Sequence, residues 1–198
     1  MHRGSQGDLF IEDYSMADGS TLAELVSSDL LIAENIIDMD AYSWAKLQLN
    51  LGNAINALAD VPVKKMLESR GFRKIIALSM QELLEVAHVK GLSLPKLAAV
   101  PMWMVPKVLN TPNFVFSVIG SKMMDIDPTV CTSMWWDLNS RRLSEVDNLN
   151  GAVVQEGEKL GINCPVNRKI VATIHSLESN FGTGREPFLA QEFLSQFS

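Results

Sequence analysis

From about Ala41 onward, apolar residues recur at helical spacing. Leu47, Leu51, Ala54, Ile55 and Leu58 fall at i, i+4, i+7, i+8 and i+11, which places them on one face of a long helix. A second helix is predicted over Phe72–Lys90, closed by Gly91 where a left-handed C-cap favours glycine. Short pieces punctuated by Pro95, Pro101, Pro106 and Pro112 follow. The spacing then predicts another long amphipathic helix within Pro128–Leu160. Pro128 would occupy its first turn, Leu138, Val146, Leu149, Val153 and Leu160 its apolar face, and Gly161 its stop. Pro165 opens a further helix to about Glu178, and a short tail from Arg185 to Ser198 docks last.

The first forty residues have another texture. Gly7–Glu12 and Leu30–Ile36 read as short strands, with a helical turn or two near Thr21–Val26 between them. This pattern fits the tail of an α/β unit whose other strands are missing, which would leave an open sheet edge. The expected fold is therefore mainly α, a helical bundle over residues 41–198 with a short α/β remnant over residues 1–40. The apolar stretch Leu97–Gly120 is interrupted by prolines, Lys107 and Asn110, so it reads as a buried, kinked connection and not as a membrane span. Met1–Gly19 holds no apolar region of signal-peptide length, and a cytoplasmic location is expected.

Charge narrows the function further. The 198 residues carry a formal net charge of −6, which disfavours a phosphate backbone as partner. Cys131 and Cys164 lack C-x-x-C spacing and read as reduced thiols. His88 and His175 have no second ligand at metal spacing, so no metal is assigned. Gly182-Thr183-Gly184 lacks a third glycine and does not connect a strand to a helix, so no cofactor-binding residue is assigned in this chain.

Candidate chemistry clusters in two places. Lys46, Asn50 and Asn53 lie within about 40° of one another beside the leucine face of the first helix, and Ala57 leaves room above that stripe. Spacing alone favours a solvated helix face. Asp137, Arg141, Glu145 and Asn148 share one flank of the later helix, where spacing alone favours a ladder of exposed ion pairs. Ser133 stands near its start, where it could cap a turn. Trp135 and Trp136 read as core or interface.

Ser133-Met134-Trp135-Trp136-Asp137-Leu138, Arg141-Arg142-Leu143-Ser144-Glu145-Val146-Asp147, Leu149-Asn150-Gly151, Gly161-Ile162 and Pro165-Val166-Asn167 together resemble the C-terminal signature of ketopantoate reductases. Trp44-Ala45-Lys46-Leu47 with Asn50 and Asn53–Leu58 resembles the family's other block, and the likeness spans roughly residues 20–180. It implies a helical domain similar to the C-terminal domain of 6-phosphogluconate dehydrogenase, paired with an N-terminal Rossmann domain that binds NADPH. The first forty residues would be the end of that nucleotide-binding domain, and the chain would be a fragment or truncated product, inactive alone. The implied reaction is reduction of 2-dehydropantoate to pantoate, on the route to pantothenate.

Carried over by resemblance, Lys46 is the catalytic lysine that protonates the ketone oxygen, and Glu145 the carboxylate that binds substrate hydroxyl and orients the lysine. Asn50 and Ser133 bind substrate; the family's second helix amide falls at Ala54 here, so Asn53 or Asn56 would supply it only with a shifted register. The two catalytic groups should meet across a cleft facing the Rossmann partner, supplied in cis or in trans. A homodimer through the helical domain is also implied. Ala54, Val63 and Val130 stand where the family places asparagines, so the substrate could be a 2-keto acid other than ketopantoate. The alternative is a helical dimerisation module that has lost catalysis.

Overall fold

The two short strands expected in the first segment form a parallel pair. In a computed structural model that describes residues 9–12, 33–121, 124–181 and 188–197, β1 (Leu9–Glu12) pairs with β2 (Ala33–Ile36), Leu9 opposite Ala33 and Glu12 opposite Ile36. Parallel strands require a crossover connection, as in an α/β unit. The turn expected at Thr21–Val26 lies outside the described residues, as does Gly182-Thr183-Gly184.

The chain divides into two compact units, Met1–Ser43 and Trp44–Ser198. In the first, β2 leads into α1 (Met39–Asn50). Two carboxylates close the start of that helix: Glu12 Oε1 accepts from the Met39 N–H and Asp38 Oδ1 from the Ala41 N–H, both at 2.9 Å. They satisfy orphan donors and complement the positive end of the helix dipole.

The long helix expected from Ala41 is two pieces, α1 and α2 (Gly52–Ala59). At the junction the Leu51 N–H is shared between the carbonyls of Leu47 (3.1 Å) and Gln48 (3.4 Å). Leu51 keeps helical dihedrals, so the apolar face continues, and Leu51, Ala54, Ile55 and Leu58 are all buried. Next come α3 (Val63–Glu68), α4 (Arg70–Val89), α5 (Val105–Leu109) and α6 (Asn113–Ile119). The chain continues with α7 (Ser133–Asn139), α8 (Asn150–Lys159), α9 (Pro165–Ser179) and α10 (Ala190–Ser195). Ile75, Ile76, Met80, Leu83, Val86 and Ala87 fall within about 140° of arc at about 100° per residue, which gives α4 one broad apolar face. It is accordingly the central rod, packed against α2, α3, α5, α8, α9 and α10.

Residues 128–160 depart from the expected single helix. α7 stops at Asn139, a 3₁₀ turn occupies Val146–Asn148, and α8 starts at Asn150. Pro128 precedes the first helical residue and does not start a helix. The side chain of Thr132, not Ser133, caps α7 by accepting from the Trp135 N–H. Apolar positions nonetheless keep their phase across the break, and Leu138, Val146 and Val153 are buried. Leu97–Gly120 is also only partly buried. It is cut into a 3₁₀ turn and two short helices, and Trp103, Phe114, Val118 and Ile119 remain exposed.

Two polar groups of α4, one buried and one half-buried, tie helix ends together. Arg73 on α4, fully buried, donates to the carbonyls of Leu67 (2.7 Å), Leu109 (3.1 Å) and Thr111 (3.0 Å), so it closes the C-terminal ends of α3 and α5. A cation at helix C-termini is favourable both as a donor and against the dipole. Glu82 on α4 accepts from the Val166 N–H (2.8 Å) and the Asn167 N–H (2.9 Å), capping the start of α9. Gly157 lets the α8–α9 turn close, since a Cβ there would lie 2.7 Å from Cys164 Sγ. Among the described residues no helix is long and apolar enough to cross a membrane.

Candidate active site

Lys46 lies on the exposed side of α1, and Asn50, half-buried, is the last residue of that helix. Asn53 follows in the first turn of α2, also half-buried. Helical dihedrals at Leu51 keep these positions on neighbouring turns, as the spacing anticipated. None of the three side chains makes a hydrogen bond or ion pair among the described residues.

The segment before α7 is held against α2 by a fully buried amide. Asn56 Nδ2 donates to the Val61 carbonyl at 2.7 Å, and its Oδ1 accepts from both the Thr132 N–H and the Thr132 hydroxyl at 3.0 Å. The Val63 N–H donates to the Val130 carbonyl at 2.9 Å, and the Asn53 carbonyl lies 3.4 Å from Thr132 Oγ1. Asn53 and Ser133, the exposed first residue of α7, are therefore brought into one neighbourhood. Asn56 is wholly engaged in this clamp and cannot serve as a substrate amide. Sequence reasoning passed over Thr132 and this role of Asn56. The available signal was a Thr-Ser pair before a helix, in which either hydroxyl can cap.

Glu145 does not share a helix with Asp137, so the expected Asp137–Arg141–Glu145 ladder does not form. Asp137 pairs instead with Arg142 at 2.8 Å. Glu145 is exposed in the loop after α7, immediately before the 3₁₀ turn. Its backbone is fixed on both sides. The Asn148 and Leu149 N–H groups donate to its carbonyl at 3.0 and 3.1 Å, and the preceding Ser144 N–H donates to Glu178 Oε1 on α9 at 2.8 Å. The Glu145 carboxylate and the Ser133 hydroxyl make no hydrogen bond among the described residues, and no ion pair joins Lys46 to Glu145.

Of the positions read as departures, Ala54 is fully buried, Val63 is half-buried at the start of α3, and Val130 is exposed. Trp135 is half-buried with its indole N–H on Asp60 Oδ1 at 2.9 Å, whereas Trp136 is exposed. Both cysteines are free, and burial pushes the Cys164 thiol up to about 11. Among the described residues no group of three or more His, Cys, Asp or Glu could hold a metal ion.

Residues 38–178, which include all five candidate side chains, match the family model of the ketopantoate reductase PanE/ApbA C-terminal domain. The chain belongs to this family. The family's 2-dehydropantoate 2-reductase from Pyrobaculum aerophilum is 31% identical over 175 residues, which is 87% of this chain and 56% of the relative. The PanE/ApbA family ketopantoate reductase from Ralstonia eutropha JMP134 superposes with a TM-score of 0.70 at 26% identity, covering 91% of this chain and 54% of that one. D-mandelate dehydrogenase, in its ternary structure with NADH and anilino(oxo)acetate, shares the fold at a TM-score of 0.70 and 21% identity, over 90% of this chain and 69% of that one. The chain spans about half the length of the two reductases.

Proposed function

We propose that this chain is the substrate-binding and dimerisation domain of a cytoplasmic, NADPH-dependent reductase of 2-keto acids, of the 2-dehydropantoate 2-reductase type. Residues 1–40 would close a nucleotide-binding α/β domain and residues 41–198 form the helical domain. The observation that supports it is the state of five polar side chains. Among the described residues the side chains of Lys46, Asn50, Asn53, Ser133 and Glu145 make no hydrogen bond or ion pair, while Asn56 and Thr132 hold the Asn53 and Ser133 backbones beside each other.

In the proposed reaction Lys46 donates its proton to the ketone oxygen as the carbonyl carbon is reduced, and its charge offsets the developing alkoxide. Asn50, Asn53 and Ser133 bind the polar atoms of the substrate. Glu145 accepts from a substrate hydroxyl and orients the ammonium. The β2-to-α1 turn does not fit a dinucleotide phosphate, because Glu12 and Asp38 already accept its N–H groups and their charge repels an anion. No residue of this chain is assigned to NADPH, which belongs on a Rossmann partner in cis or in trans. A homodimer completes the proposal, supported by the apolar side chains that α6 exposes: Phe114 at 75% and Val118 at 73% of their surface.

The buried Ala54 and the valines at 63 and 130 favour a second reading, a dimerisation module without catalysis. Joining the chain to a Rossmann half and following NADPH oxidation over a panel of branched 2-keto acids separates the two. Turnover supports the reductase. A folded protein that turns over none of the panel supports the module.

A further inference from the structure

An apolar cavity of about 140 Å³ opens beside the Lys46–Asn50 stripe, entirely within the helical unit. Its floor is Met66, Leu67, Ile76, Met80, Val105 and Leu109, all buried. Its rim is Leu49, Gly52, Asn53, Val63 and Thr132, none of them buried. Leu49 lies three residues after Lys46 and Asn53 three after Asn50, so the mouth adjoins the flank that carries them. Nothing in the lining offers a spare polar group except the Asn53 amide. The Thr132 hydroxyl is engaged by Asn56 and the Trp135 N–H, and position 63 is a valine. Gly52 leaves the mouth open, since a Cβ there would meet only Ile76, at 3.8 Å.

We propose that this cavity receives the tail of the 2-keto acid, and that the tail is a bare branched alkyl or aryl group and not a hydroxylated one. The proposal rests on the reductase reading above. Size agrees, because an apolar space of about 150 Å³ admits a benzene-sized group. Polarity agrees as well. A hydroxyl entering the floor of this cavity gives up its hydrogen bonds to water and finds no replacement there, the Asn53 amide lying at the rim. Discrimination of about 10- to 100-fold against the hydroxylated analogue is what an apolar pocket can supply.

Two readouts separate this proposal from the reading beneath it. In the first, the 198-residue chain is titrated with 4-methyl-2-oxopentanoate while the methyl resonances of Met66, Ile76 and Met80 are followed by NMR. Shifts confined to these methyls, and lost in Gly52→Leu, are expected. Shifts elsewhere, or none, overturn the proposal. This readout needs no turnover, so it decides the cavity even if the chain proves not to be part of a reductase. In the second, the chain joined to a Rossmann half is assayed for kcat/KM. A preference of about tenfold or more for 4-methyl-2-oxopentanoate over ketopantoate is expected. Val63→Asn, which adds an amide at the rim without filling the cavity, should move that ratio about tenfold toward ketopantoate. A wild-type preference for ketopantoate overturns the hydrocarbon tail while leaving the reductase intact.

Discussion

Arg73 lies in the run Arg70-Gly71-Phe72-Arg73-Lys74, where three cations fall within five residues, a density of like charge usual on a solvated surface. It is instead fully buried, with the Phe116 ring 4.1 Å below its guanidinium and helix-end carbonyls on its nitrogens. Periodicity cannot show this, because the acceptors come from residues 67 to 113 and exist only once α3, α5 and α6 are docked. The Lys46–Asn50 stripe was legible as a stripe because helical spacing is local, whereas the roles proposed for its residues came from the family resemblance and not from the spacing, which favoured a solvated face. Glu82 is also a tertiary feature. Desolvation raises its pKa above the ordinary glutamate value, against the lowering effect of the Asn167 and Val166 hydrogen bonds. A raised native pKa means that the folded state holds the proton more tightly. The resulting stability is whole below the unfolded value of about 4.3 and is lost as pH rises through the native one. Urea midpoints measured from pH 4 upward should therefore fall in the wild type relative to Glu82→Gln. A difference between the two that stays constant with pH would contradict the assignment.

At the level of elements, helix ends were legible where a glycine in the left-handed region stops them, whereas Pro128, read as a helix start, opens none. Gly91 and Gly161 have φ of +76° and +71° and end α4 and α8 by the same pattern. The residue after each donates back to Ala87 and Gly157, at 2.9 and 2.8 Å, while the glycines themselves donate to His88 and Glu158. α7 ends identically, with Arg142 donating to the Asp137 carbonyl (2.8 Å) and Arg141 to Leu138 (3.1 Å). Here the left-handed residue, at φ +55°, is an arginine. A stop written without glycine, followed by apolar residues that keep helical phase, is why residues 128–160 read as one helix. The three caps make a paired prediction. Arg141→Gly should be neutral or stabilise by up to about 1 kcal/mol, and Gly161→Ala should destabilise by about 1 kcal/mol, in denaturant titrations. Equal effects of the same sign would show that left-handed strain is not what distinguishes the sites.

For the whole molecule, the helical class followed from the period of the apolar positions, and the family from two blocks of residues separated by a long stretch of chain. The sequence did not reveal the clamp of Asn56 on Thr132 or the apolar cavity under Gly52, since both depend on how α2, α3 and the segment before α7 meet. Self-association is tested through α6. If Phe114 and Val118 lie in a homodimer interface, light scattering should give twice the chain mass for the wild type and a monomer for Phe114→Glu. A wild type that remains monomeric at high concentration removes the dimer from the proposal.

The central proposition is that an ammonium on α1 supplies the proton in 2-keto acid reduction. Steady-state NADPH oxidation by this chain joined to its Rossmann half, wild type against Lys46→Ala, tests it most directly. Loss of a positioned general acid should lower kcat by about 10²- to 10⁴-fold. The urea midpoint should not change, because Lys46 is exposed and makes no ion pair among the described residues. A stable Lys46→Ala protein that turns over at the wild-type rate would contradict it.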